Sequence, residues 1–278
     1  MKKEHFSLKY LRREVLPTLF CPGCFNGVVI NALAKALEEE GVASLRGYVF
    51  VSGIGCSSWI PSPYILADSL HVLHGRAVAV AMGVKLANPK LEVIVIGGDG
   101  DLASIGISHL IHAARRNLDI VVIMVNNLVY GMTRGQQSPT TPRGLKTATT
   151  PYGSFEYPID MCRVLRETNA NYVARWTIAH FYQLKDSIKE ALFKHRRGFR
   201  YIEVVAPCTT YVARRLGLRP SNILRDLLRK SRRVGESREA TQGGEDTIAV
   251  GVFKSEDKPG YIELYRGYIA GLGGVYSG

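Results

Sequence analysis

Two strand ends carry the residue types that could hold an anionic cofactor. Gly98-Asp99-Gly100-Asp101 follows the apolar run Val93-Ile94-Val95-Ile96, and Asn126-Asn127 closes the run Ile120 to Val125. If the runs are neighbouring parallel strands, both ends lie on one edge of a sheet. There the Asp99 carboxylate and the Asn127 side-chain carbonyl suit magnesium, which takes oxygen ligands in octahedral geometry. The backbone carbonyl of Val129 completes the protein's share. A cation so held can bind a diphosphate that Asp99 alone would repel. Gly98 and Gly100 allow close approach of the backbone, and the helix that follows points its N-terminus at phosphate.

Sulfur makes a second set. Cys21-Pro22-Gly23-Cys24 stands before a helical run, an arrangement that favours thiolate and metal ligation. Cys56 and Cys208 each follow an apolar strand. Four thiolates bind either zinc or an iron–sulfur cluster. Zinc ligands usually come as two close pairs, and only one close pair is present here, which favours the cluster. The fifth cysteine, Cys162, falls within a helical stretch and reads as a small buried hydrophobe. An odd cysteine count argues against a disulfide scaffold.

Such residues need strands to carry them to one edge. Helical periodicity covers Asn26 to Glu40, Gly75 to Ala87, Leu102 to Arg116, Met161 to Asn169 and His180 to His195. Buried-type strands are expected at Tyr48–Ser52, Val93–Ile96, Ile120–Val125, Tyr172–Arg175 and Tyr201–Val205. Continuous Val/Ile runs alternating with helices predict an α/β fold, doubly wound, with a mostly parallel sheet. Ligands of such sheets bind beyond the carboxyl ends of the strands. The long polar stretch from Leu128 to Ser154 reads as a functional loop.

After Arg219 the composition shifts to a basic helix, a Gly/Ser/Glu-rich stretch from Val234 to Asp246, an apolar segment from Ile248 to Phe253 and a Gly- and Tyr-rich tail. The expected division is a cofactor-binding domain over residues 1-215 and a C-terminal extension over residues 216-278, packed on the core or on a partner subunit. The formal charge is +12, much of it late in the chain. A basic surface attracts anionic substrates, nucleic acids or acidic proteins. No zinc-finger spacing or RNA-binding aromatic pattern supports nucleic acid. No run of apolar residues is long enough for a membrane span. No apolar signal region follows the basic N-terminus, so the expected location is cytoplasmic.

The motifs occur in a telling order: Cys21-Pro22-Gly23-Cys24, Gly53-Ile54-Gly55-Cys56-Ser57-Ser58, Leu73-His74-Gly75-Arg76-Ala77, Gly98-Asp99-Gly100-Asp101, Asn127-Leu128-Val129-Tyr130-Gly131-Met132-Thr133 and Gly135-Gln136-Gln137-Ser138-Pro139-Thr140. From Leu16 to Tyr211 the chain resembles the β subunit of 2-oxoacid:ferredoxin oxidoreductases, nearest the archaeal two-subunit and 2-oxoglutarate types. The spacing of Gly-Asp-Gly to Asn-Asn also matches the thiamine diphosphate signature.

The resemblance implies a sheet of the thiamine diphosphate-binding type, with thiamine diphosphate, magnesium and one 4Fe–4S cluster bound. By motif match, Cys21, Cys24, Cys56 and Cys208 would ligate the cluster, and Asp99, Asn127 and Val129 would hold magnesium. Ile54, Gly55, Cys56, Ser57, His74, Gly75, Arg76, Gly100, Asp101, Gly131 and Met132 would line the cofactor. The implied reaction is oxidative decarboxylation of a 2-oxoacid such as pyruvate or 2-oxoglutarate, with coenzyme A as acyl acceptor and ferredoxin as electron acceptor. The Glu that activates the cofactor is implied to come from an α (or fused γα) subunit, so this chain alone would not turn over.

Three departures stand out. Arg134, which offers a bidentate clamp for the substrate carboxylate, occupies a place where the pattern usually has Lys. Phe25 stands where the pattern has Gly, and Thr209-Thr210 where it has Pro-Thr. The competing expectation is a non-oxidative thiamine diphosphate-dependent decarboxylase or synthase subunit, which would need no cluster.

Overall fold

Six strands lie side by side in one direction in the computed structural model, which describes residues 4–235 and 247–273. They are β1 (Tyr48–Ser52), β2 (Asp68–His71), β3 (Glu92–Gly98), β4 (Val121–Asn126), β7 (Tyr172–Thr177) and β8 (Arg200–Val205). Two short strands, β5 (Val129–Tyr130) and β6 (Gln136–Gln137), form a separate antiparallel ladder. Strands β9 (Ser231–Arg233) and β10 (Ile248–Ser255) complete the main sheet, whose order is β2-β1-β3-β4-β8-β7-β10-β9. β10 runs antiparallel to β7.

Neither face of the central strands β1, β3, β4, β8 and β7 is wet, and they are largely apolar for that reason. Phe50, Ile94, Ile96, Ile123, Val125, Ile202 and Val204 pack on one side with α1 (Asn26–Glu39) and α5 (Phe181–Lys189). Their alternating neighbours Val49, Val51, Val93, Val95, Val122, Met124 and Tyr201 pack on the other with α2 (Ala77–Ala87), α3 (Ile107–Arg115) and α4 (Met161–Arg166). The architecture is the doubly wound, mostly parallel α/β fold that the pattern predicts.

Register then sets the site. Gly98 pairs with Val125, and Asn126 pairs with Val205. The ends of β3, β4 and β8 are therefore level, and the segments that follow them leave from one edge.

The details differ from the periodicity in instructive ways. The helix expected from Leu102 begins as a wide turn, Asp101–Ile105, before α3. There Gly106 packs against the Gly75 backbone, with no room for a side chain. The helix expected to run to His195 widens in the same way at Glu190–Lys194. Strand β2 carries Asp68, Ser69, Leu70 and His71, and it shows no apolar run because it is a largely exposed edge strand. The expected loop from Leu128 to Ser154 contains the β5–β6 ladder and is tied by Ala148 N–H to Gly135 O (2.9 Å) and Gly144 N–H to Ser154 O (2.7 Å).

Past residue 216, α6 (Pro220–Lys230) leads to β9, and β10 returns the chain to the sheet before α7 (Tyr261–Gly273). Most of the Gly/Ser/Glu-rich stretch, residues 236–246, lies outside the described residues. Among the described residues no helix is long and apolar enough to cross a membrane.

Candidate active site

Asp99, one residue past β3, is almost wholly buried. Its Oδ2 accepts from Ser138 Oγ at 2.5 Å and Thr140 Oγ1 at 2.7 Å. Its Oδ1 accepts from the backbone N–H of Asn127 at 3.3 Å. Burial pushes the carboxyl up from its ordinary range, and these donors pull it part of the way back. A buried carboxylate without a formal counter-charge has a use for a cation. Asn127 Oδ1 accepts from Val129 N–H at 3.1 Å, and Val129 begins β5 in a buried position. Among the described residues no three His, Cys, Asp or Glu side chains converge on one metal position. Magnesium held by one carboxylate, one amide oxygen and one backbone carbonyl would not need such a group.

The next edge of the site joins three glycine-rich turns. Asp101 Oδ1 accepts from Gly75 N–H at 2.5 Å and lies 3.3 Å from His74 Nδ1, which is itself 2.9 Å from Ile54 O. Burial raises the Asp101 carboxyl, with the Gly75 N–H and His74 opposing. A β carbon at Gly53 would overlap the Asp101 carboxylate, so that glycine is dictated by space. Asp101 Oδ2, Ser57 Oγ and Ser58 Oγ are buried without hydrogen-bond partners. Unsatisfied polar atoms of this kind cost free energy unless a ligand or water meets them. They fit a polar cofactor beside Gly-Asp-Gly. Gly55 is half-buried, while Ile54, Arg76 and Met132 are exposed.

The sulfurs gather next to this edge. Cys56 Sγ and Cys208 Sγ both flank Gly131, where a β carbon would stand 3.6 and 3.7 Å from them. Cys24 N–H donates to Cys21 O at 2.9 Å, closing the Cys-Pro-Gly-Cys turn. Cys208 N–H donates to Asn127 O at 3.0 Å. Burial, then the charges of Cys208, Cys24 and Cys21, push the Cys56 thiol up to about 11. Burial raises Cys24 too; the N–H of Asn26 opposes this, and Cys21 and Cys208 add to it. Cys56 thus lies within the field of the other three thiols. The ligands of a cubane hold separate irons, so they need not converge on one point as those of a single ion do. Cys162 is elsewhere, fully buried, with its thiol 3.6 Å from Ala174 O and 3.5 Å from Glu203 Oε2.

The departures from the pattern have places too. Phe25 is buried in the hydrophobic core beside α1. Thr209 and Thr210 open the turn after Cys208, where Tyr211 N–H donates to Cys208 Sγ at 3.4 Å. Arg134 is exposed with φ +82°, in a turn whose next residue, Gly135, packs against the Tyr211 ring.

Sequence reasoning assigned no role to Ser138, Thr140, Asn126 or Tyr130. The hydroxyls stand in a polar stretch that a reader sees as loop. Only the fold shows that it returns to Asp99.

Residues 53–204 match the family model described as the thiamine pyrophosphate enzyme, C-terminal TPP binding domain. The chain is 46% identical over 261 residues to the 2-oxoglutarate synthase subunit KorB of Methanocaldococcus jannaschii, covering 93% of this chain and 95% of that one. It is 45% identical over 193 residues to the 2-oxoacid:ferredoxin oxidoreductase subunit beta of Saccharolobus solfataricus, covering 69% of this chain and 62% of that one. Among solved structures it resembles a chain of the 2-oxoglutarate:ferredoxin oxidoreductase from Magnetococcus marinus with 2-oxoglutarate, coenzyme A and succinyl-CoA bound. The TM-score is 0.84 at 30% identity, over 98% of this chain and 92% of that one.

Proposed function

This chain belongs to the family of 2-oxoacid:ferredoxin oxidoreductase β subunits, and on that premise we propose that it serves CoA-dependent oxidative decarboxylation of a 2-oxoacid, pyruvate or 2-oxoglutarate. The observation that carries this reading is the position of Asn127. Its N–H donates to Asp99, and its carbonyl accepts from the N–H of Cys208. One residue thus joins the acidic end of the site to the thiols. A decarboxylase without redox chemistry has no use for thiols at that junction.

In this reading Asp99, Asn127 and the Val129 carbonyl hold magnesium and, through it, the diphosphate. Ile54 to Ser57, His74 to Arg76, Gly100, Asp101, Gly131 and Met132 line thiamine diphosphate. When bound, that cofactor supplies the carbon nucleophile and the electron sink for loss of carbon dioxide. The residues of this chain orient it. Asp101 holds the 74–75 turn through the Gly75 N–H and keeps His74 against Ile54 O. Arg134 receives the substrate carboxylate. Cys21, Cys24, Cys56 and Cys208 ligate a 4Fe–4S cluster, the exit for electrons.

An α subunit completes the enzyme and supplies the activating Glu, and ferredoxin accepts the electrons in the cytoplasm. Residues 216-278 act as an extension on the core, supported by the pairing of β10 with β7. Exposed Arg214, Arg215 and Arg219 follow closely after Cys208 and suit an acidic ferredoxin. Association of that kind weakens as salt rises.

The test is co-expression with the α subunit and a panel of 2-oxoacids, read by ferredoxin or viologen reduction. Reduction that needs CoA, a 2-oxoacid and both subunits is expected. Decarboxylation by this chain alone, or by a complex free of iron, overturns the reading.

A further inference from the structure

Behind Asp99 a line of buried hydrogen bonds crosses the sheet to β7. Thr140 Oγ1 lies 2.7 Å from Asp99 Oδ2 and 2.9 Å from Asn126 Oδ1. Asn126 Nδ2 donates to Glu203 Oε1 at 2.8 Å. Glu203 Oε2 accepts from Arg175 Nε at 3.0 Å and Nη2 at 2.8 Å, and Arg175 Nη2 also reaches Asp160 Oδ1 at 2.6 Å. Asn126, Glu203 and Arg175 are all buried. An ion pair in such a place is weak evidence for stability, because apolar side chains of like volume often serve as well.

The chain of bonds has a direction. An amide can face its neighbours either way round. Glu203 can only accept, so it draws Nδ2 of Asn126 toward itself and leaves Oδ1 toward Thr140. Leu128 N–H, donating to that Oδ1 at 3.1 Å, agrees. Thr140 therefore has an acceptor on each side and a single proton to give. What Asn126 takes of that proton is withheld from Asp99. A carboxylate less satisfied by its own protein keeps more charge for a cation.

We propose that Glu203, backed by Arg175, is a positioning residue of the cation site: it fixes the Asn126 amide so that Asn126 competes with Asp99 for the Thr140 proton. The inference rests on the reading that Asp99 holds the divalent cation of the diphosphate cofactor. Outer-shell partners of metal ligands typically change affinity by about 10- to 100-fold.

The test uses the complete enzyme, co-expressed with its α subunit and stripped of cofactor and divalent cation. Mg2+ is titrated calorimetrically in the presence of thiamine diphosphate. Glu203→Gln should weaken Mg2+ binding by about tenfold or more, while KM for the 2-oxoacid at saturating Mg2+ stays as in the parent. Asn126→Asp sets two carboxylates face to face and should weaken it too. The double variant Asn126→Asp, Glu203→Gln reverses the polarity of the bond, relieves the repulsion between the two carboxylates and keeps an acceptor opposite Thr140. It should recover the parent affinity.

Parent-like Mg2+ affinity in Glu203→Gln, or a double variant no tighter than the weaker single one, overturns the inference. If Glu203→Gln does not assemble, the double variant is judged against Asn126→Asp alone: tighter binding supports the inference, and equal binding overturns it. Asp99→Asn separates the two levels. Loss of Mg2+ in Asp99→Asn with none in Glu203→Gln removes only this inference, whereas undiminished Mg2+ binding in Asp99→Asn removes the reading beneath it.

Discussion

The ring of Tyr130 rests on the α carbon of Gly100, so closely that a β carbon at position 100 would overlap it. The Gly-Asp-Gly turn and the residue just after Asn127-Leu128-Val129 are thus in direct contact. The same ring lies 6.2 Å from that of His74. Gly100→Ala must move Tyr130, and Tyr130 faces the 74–76 turn. Overpacking of this sort costs about 1–3 kcal/mol. We expect Gly100→Ala to lower the melting temperature and to weaken thiamine diphosphate binding. Calorimetric titration checks the second effect; unchanged affinity would show that the turn does not touch the cofactor.

The thiols give a pH prediction for the cluster-free chain. Burial and the neighbouring cysteines push Cys56 up to about 11, against an ordinary thiol value of about 8.5. A raised thiol stays protonated in the fold while the unfolded chain has begun to ionise. Stability from this group is therefore complete below the ordinary value and is lost as pH rises toward about 11. Alkylation of Cys56 by iodoacetamide, followed by mass spectrometry, should show a midpoint well above that of a free thiol. A midpoint at the ordinary value would mean that Cys56 is not buried beside the other sulfurs as described.

Cysteine substitutions separate the four from the fifth. Cys21→Ser, Cys24→Ser, Cys56→Ser and Cys208→Ser should each lose iron and visible charge-transfer absorbance, since serine is a poor ligand for such clusters. Cys162→Ser should keep both, because its thiol lies within the core beside Glu203. Iron analysis of the five purified proteins decides. Iron loss confined to the Cys162 variant would reverse the assignment.

The parts legible in the sequence are those that local chemistry dictates. Val93 to Ile96 and Ile120 to Val125 are unbroken apolar because both faces of their strands are covered, and that alone places Asp99 and Asn127 on one edge. Cys208 was readable for the same reason, three residues past the end of β8. Strand β2 was not, because an exposed edge strand can be polar and still find its partner in β1. Nor was the return of Ser138 and Thr140 to Asp99, since a hydroxyl some 40 positions away leaves no periodicity. Glu203 looked like a polar residue inside a strand. Only the pairing of β8 with β4 and β7 sets Asn126 and Arg175 on either side of it.

Asp119 is one of the residues that hold the C-terminal extension, beside Arg197, which pairs with Asp257 and Glu263. Asp119 accepts from Gly198 N–H at 3.0 Å through Oδ1 and from Ile262 N–H at 2.9 Å through Oδ2. The second bond caps the first turn of α7, a favoured place for an anion. Asn117 donates to Pro259 O at 3.0 Å beside it. Asp119→Ala leaves two backbone donors unmet, at about 1–3 kcal/mol each. We expect faster protease cleavage near residues 256–261 and a lower melting temperature. Equal cleavage rates in parent and variant would place the hold on α7 elsewhere.

Arg134 puts strain and function at one residue. Its φ of +82° lies where a bulky side chain rarely sits, and glycine would occupy it without steric cost. Residues held in such regions cost about 1–3 kcal/mol, and they cluster at functional sites. If the guanidinium receives the substrate carboxylate, stability and affinity must move in opposite senses. Arg134→Gly should raise the melting temperature of the assembled enzyme and raise KM for the 2-oxoacid. Arg134→Ala should raise KM without the gain in stability, because alanine inherits the strain. Arg134→Lys should fall between the parent and Arg134→Ala in KM, as it keeps the charge but loses the bidentate fork. Steady-state kinetics beside thermal melts of the three variants make the comparison. A KM that does not change in Arg134→Gly would detach this arginine from the substrate and leave its backbone geometry to be explained by the packing of Gly135 on Tyr211.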